Sequence, residues 1–160
     1  MIVYRSTMSS PVDITEPATG FVSEIVRARP LSPLRKIQLA AEILLTYGRV
    51  RWSLWRTNVP HTVADIRGRV SDRLDVRTAH LLSVRLGRVV SRTLEPLPAD
   101  SRCLMRSIVL SGLLARRGVD STIVIGVQPG PSFAAHAWVE YRGNAVLPSM
   151  EDLYARIAEL

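Results

Sequence analysis

Cys103 and His136 are the side chains best suited to making and breaking covalent bonds in this sequence. Cys103 is the single cysteine, so no internal disulfide can consume its thiol. It follows Asp100-Ser-Arg102, with Asp100 or Ser101 as the expected cap, and it opens an apolar run of helical period. In the first turn of a helix the backbone N–H groups have no intrahelical partner and the dipole end is positive. Both effects favour a thiolate, the form that attacks a carbonyl carbon. Arg102 and Arg106 add positive charge, and the free N–H groups suit a tetrahedral oxyanion. The competing reading is a small hydrophobe buried in a helix.

His136 decides between the two. It lies in Ala135-His-Ala-Trp-Val-Glu140, a strand-like segment. Alternation puts His136, Trp138 and Glu140 on one face, and Ala135, Ala137, Val139 and Tyr141 on the other. The alanines on either side leave room for a neighbouring element. An imidazole within reach of a helix-start thiol makes an ion pair that attacks acyl groups. A third group normally orients the imidazole. A two-residue turn at Arg142-Gly143 would set residue 149 opposite His136, and that residue is Ser149. Glu151 is the first acidic candidate for the third catalytic member and Asp152 the second; both also read as N-terminal charge on a last helix. His61 and His80 show no zinc spacing with the lone cysteine, and no glycine-rich phosphate loop occurs, so neither a metal nor a cofactor is expected. Trp52 and Trp55 read as core or interface residues.

These side chains need a scaffold of helices followed by strands. Residues 1–30 have poor periodicity and contain Pro11, Pro17 and Pro30, so they read as a partly flexible arm with a strand near Phe21–Val26; Met8 offers a second start. Ser32-Pro33 starts a helix. Leu34, Ile37, Ala40, Ala41, Leu44, Leu45 and Tyr47 follow at helical spacing on one apolar face, and the pattern continues to Trp55 before Asn58 and Pro60 stop it. Residues 57–75 read as a connector, with Pro60 and Gly68 as breakers. A second helix fits Val76–Leu94, with Ala79, Leu82, Leu86, Val89 and Val90 on one side and Arg77, Arg85, Arg88 and Arg92 on the other. The cysteine helix runs from about Arg102 to Arg117, ending at Gly118. The period then changes: Ser121–Val127, Ala134–Tyr141 and Ala145–Leu147 read as strands, and Glu151–Glu159 as a last helix. The expected class is α+β, with one domain over 31–160: a helical part to residue 98, then the cysteine helix on an antiparallel sheet of at least three strands.

The chain has 160 residues and a net charge of +7; all but one of its 21 basic residues are arginine. At this length a fold buries roughly 70% of the unfolded surface and needs no metal or disulfide. Residues 31–100 hold most of the charge excess, net +6, which reads as solvated helix faces or as a surface for an acidic partner. No signal peptide and no run of about 20 apolar residues occurs, so the expectation is a soluble cytoplasmic protein, without membrane or nucleic-acid partners.

The order of a helix-start cysteine, a strand and then a strand-borne histidine resembles papain-like and transglutaminase-like enzymes. The resemblance sharpens over Arg102-Cys-Leu-Met-Arg-Ser-Ile-Val-Leu-Ser-Gly-Leu-Leu-Ala-Arg-Arg-Gly118, Thr122-Ile-Val-Ile-Gly-Val127 and Ala135-His-Ala-Trp-Val-Glu140. Together these resemble the transglutaminase-like leader peptidases of bacterial lasso-peptide biosynthesis, the stand-alone second B components. That likeness implies a cysteine peptidase with Cys103 as nucleophile and His136 as base. It also implies three partners: the precursor leader peptide, a leader-binding partner protein and an ATP-dependent lasso cyclase. Independently of the likeness, the basic middle segment, especially Arg77, Arg85, Arg88 and Arg92, offers a contact surface for an acidic leader. The family places an aspartate about a dozen residues past the histidine, where this chain reads Val146-Leu-Pro-Ser149. A dyad, or a displaced acid such as Glu151, follows from that departure. The same pair would also serve an acyltransferase of transglutaminase type, and the alternative to catalysis is a basic binding module.

Overall fold

The computed structural model describes residues 32–68, 70, 74–97, 102–128, 134–147 and 153–160. The arm read over 1–30 and the candidates Ser149, Glu151 and Asp152 lie outside these residues.

Among the described residues four helices precede the sheet. Helix α1 spans Pro33–Arg56, capped by Ser32, whose hydroxyl accepts from the Arg35 N–H. Its inward side is Leu39, Ile43, Thr46, Val50 and Leu54. Most of the stripe expected to form its apolar face points to water instead: Leu34, Ile37, Leu44 and Leu45 are exposed, as are Trp52 and Trp55. The helix carries two apolar sides, and tertiary packing chose the less obvious one.

Helix α2, Val59–Arg67, occupies the stretch expected to be a connector. Asn58 and Pro60 start this helix as well as following the previous one. Asn58 Oδ1 accepts from the His61 N–H at 3.0 Å, and proline is favourable in a first turn, where its missing N–H costs nothing. Helix α3 spans Val76–Leu94 as expected, with Ala79, Leu86, Val90 and Leu94 inward and Arg77, Arg85, Arg88 and Arg92 exposed. Its cap, Asp75, accepts from the Thr78 N–H at 3.0 Å, and hydrogen bonding from Thr78 holds this carboxyl below its ordinary value.

Helix α4, Arg102–Ala115, is the central element: every residue from Ser107 to Leu114 is buried. A Cβ at Gly112 would collide with the Ile66 side chain, so glycine allows α2 and α4 to cross closely. Gly118, at φ +73°, turns the chain, and the Val119 N–H reaches back to Leu114 O at 3.1 Å.

Strands β1 (Thr122–Gln128), β2 (Ala134–Tyr141), β3 (Asn144–Ala145) and β4 (Ala155–Glu159) form an antiparallel sheet in the order β3-β2-β1-β4. The Arg142-Gly143 turn has both residues at positive φ, and Tyr141 pairs with Asn144 as the turn chemistry requires. The helix expected over Glu151–Glu159 is replaced in its described part by β4. The second edge of β1 needs a partner, and Ile123 and Leu160 exchange N–H···O bonds at 2.9 Å in each direction. Ile123, Val139, Tyr141 and Val146 join Ile108, Leu113 and Leu114 in the main core. Val124 and Trp138, paired across the strands, are buried outside that cluster, on the opposite face. The architecture is α+β.

Candidate functional site

Cys103 stands in the first turn of α4 and is partly exposed. One turn later, Ser107 shares its helix face. The buried Ser107 hydroxyl donates to Ala137 O at 3.1 Å. This bond fixes the register of the cysteine-bearing helix on β2, at the residue next to His136. Small side chains make the approach possible: Ala137 is buried against the helix.

His136 sits opposite Gly126 in the β1–β2 register. Among the described residues β3 pairs only with Glu140 and Tyr141, so the first half of β2 is a sheet edge. A cavity of about 360 Å³ runs along this edge. Cys103 and His136 both line it, together with Ala137 and Val139 from one face of the strand and Trp138 from the other. Helix α3 contributes Gly87, Val90 and Ser91, and α4 adds Arg102 and Arg106. Arg106 Nε is buried with no hydrogen-bond partner among the described residues.

The outer face of β2 carries a polar chain absent from the sequence reading as such. The Trp138 ring lies 6.0 Å from that of His136 at 18°. Trp138 Nε1 donates to Glu140 Oε1 at 2.8 Å, and Arg156 Nη2 donates to the same oxygen at 2.6 Å. The Tyr154 ring closes the other side, 5.3 Å from His136. A Cβ on Gly126 would come within 2.8 Å of Tyr154 Cβ and 3.0 Å of the Trp138 ring. Glycine therefore makes the floor on which both aromatics lie beside the imidazole. Glu140 is 4% exposed and its charge is matched by Arg156. Four residues along a strand span about 13 Å, so Glu140 lies beyond direct reach of His136, and Trp138 stands between them. The signals were present: alternation aligned His136, Trp138 and Glu140, and a glycine inside a strand marks close approach. Arg156 and Tyr154 carried no such signal.

Among the described residues no group of three ligating side chains could hold a metal, and no helix is long and apolar enough to cross a membrane. Cys103 and His136, predicted as a pair, are brought to one cavity.

Residues 44–160 match the family model described as transglutaminase-like superfamily. A stretch of 62 residues, 38% of this chain, is 40% identical to the microcin J25-processing protein McjB of Escherichia coli and spans 29% of that protein. No solved structure matches.

Proposed function

The chain belongs to the transglutaminase-like superfamily, and on that premise we propose that it is a cysteine peptidase removing the leader from a ribosomally made lasso-peptide precursor. The observation that carries this reading is the shared cavity: a thiol at a helix start and a strand-borne imidazole line one cavity of about 360 Å³. The name of the Escherichia coli relative, a microcin-processing protein, supports a peptide precursor as substrate.

In the proposed reaction the Cys103 thiolate attacks the scissile carbonyl carbon, and the α4 N-terminal N–H groups hold the oxyanion. His136, holding the thiol proton, gives it to the departing amine, and a thioester remains. Water then attacks the thioester, His136 takes the water proton, and the thiolate leaves as the leader's carboxylate forms. Glu151 is the proposed orienting acid. Arg102 and the buried Nε donor of Arg106, unpartnered among the described residues, suit an acidic or carbonyl-rich segment in the cavity. A separate leader-binding protein presents the precursor, and an ATP-dependent cyclase uses the freed amine. The free thiol suits a reducing cytoplasm.

The test is incubation with the candidate precursor, with and without the leader-binding protein, read by mass spectrometry. Cys103→Ala and His136→Ala should each slow cleavage by at least about 1000-fold while far-UV circular dichroism is retained. Normal cleavage by either variant removes the reading. Glu151→Gln should slow it far less; an inactive, folded variant makes Glu151 a full catalytic member.

A further inference from the structure

Helix α1 holds the largest feature that the cavity chemistry does not use. At about 100° per residue, Leu34, Ile37, Leu44, Leu45, Trp52 and Trp55 fall within an arc of about 100°. That arc lies roughly opposite the side carrying Ile43 and Val50. The six are 46–76% exposed, and they extend over roughly 32 Å of helix. Single exposed apolar residues are ordinary; a continuous stripe of six, two of them tryptophans, marks an interaction surface.

The stripe has a shaped centre. Trp52 and Trp55 stand 5.5 Å apart, tilted at 48°. One turn earlier Gly48 has nothing within 4 Å of its Cβ position, and these three with Arg51 border a hollow of about 320 Å³. Paired tryptophans beside a hollow are the kind of residue that anchors protein interfaces.

Charge selects the occupant. Helix α1 carries Arg35, Lys36, Arg49, Arg51 and Arg56 against one acid, Glu42. Glu42 is engaged by Arg117 at 2.7 Å, with Arg116 nearby. Arg51 borders the stripe on one side, and Arg49 and Arg56 on the other; the Arg56 guanidinium lies 4.4 Å over the Trp52 ring. A second copy would set these cationic rims against each other, whereas acidic flanks would complement them.

We propose that the outward side of α1 docks an amphipathic helix of a partner protein, with apolar residues at helical spacing and acidic residues flanking them. The docking is separate from cleavage and does not depend on the peptidase reading. It uses the grammar of a helix laid against an apolar groove.

The test uses the full chain and two synthetic amphipathic helical peptides, one with leucines flanked by glutamates, the other with lysines replacing the glutamates. Acrylamide quenching of tryptophan emission reports the stripe. The chain alone should be quenched at all concentrations. The glutamate peptide should protect it with a Kd of about 10 µM, the lysine peptide at least about tenfold more weakly. Leu45→Glu should weaken the glutamate peptide about tenfold or more, with circular dichroism and Tm unchanged. Four results overturn the proposal: no binding at about 1 mM, equal binding of both peptides, protection that grows with protein concentration (a second copy), or protection of the lone chain at every dilution (residues 1–31).

Discussion

The two members of the proposed catalytic pair are held by different physics. Cys103 rides on a helix whose residues from Ser107 to Leu114 are buried, with two buried side-chain bonds among the described residues, Ser107 to Ala137 O and Ser121 to Ser111 Oγ. His136 stands on the other face of β2, beside a chain of directional contacts: Trp138, Glu140, Arg156 and Tyr154. Apolar packing is spread over many contacts and tolerates polar deletions, but it is sensitive to volume. A short hydrogen-bonded chain tolerates little change at any link. The helix side should therefore govern stability, and the proposed mechanism assigns the positioning of the imidazole to the outer face of β2.

The sharpest break between the two should come from Leu113→Ala, which empties a fully buried site in α4. A loss of about 2–5 kcal/mol is expected in chemical denaturation, while the folded fraction keeps its cleavage rate per molecule. Gly126→Ala is the counterpart on the other face. Its Cβ must displace Trp138 or Tyr154, costing about 1–3 kcal/mol, and cleavage should fall further than stability alone explains. If Gly126→Ala cleaves normally once corrected for folded fraction, the outer face does not position His136.

Trp138→Phe keeps a ring beside the imidazole and removes the N–H donated to Glu140. Stability should fall by about 1 kcal/mol, the net worth of a typical hydrogen bond. The diagnostic readout is the pH profile of cleavage, which a purely structural role would leave in place and a positioning role would shift. Smallest is Asp75→Asn, remote from both regions. The Asp75 carboxyl is held below its ordinary value by the Thr78 hydrogen bonds. Its charged form therefore stabilises α3 above the unfolded-state value, and that contribution is lost as pH falls through the lower folded value. The gap in Tm between wild type and Asp75→Asn should be small at neutral pH and close in acid.

Where a local rule had one solution, the sequence was readable. Helix α3 was legible to its end residues from its helical period, with apolar residues on one side and arginines on the other; its cap, Asp75, was not read from the sequence. The bounds of β2 and the Tyr141–Asn144 pairing followed from alternation and a two-residue turn. Cys103 and His136 stood out because their residue types and settings were unusual together. Helix α2 was missed because Asn58 and Pro60 mean both stop and start, and a nine-residue helix adds little periodicity to separate the meanings. Strand β4 was missed because it is mostly exposed, so its pairing comes from the open edge of β1 rather than from its own pattern.

The chain's own residues determined its periods, its caps and the order of thiol and imidazole, because steric preference and i, i+4 neighbours act within a few residues. Tertiary structure alone decided which apolar side of α1 went inward, which segment completed the sheet, and that Arg156 would meet Glu140. Those choices lie between locally equivalent solutions, and only contacts between residues distant along the chain separate them in energy.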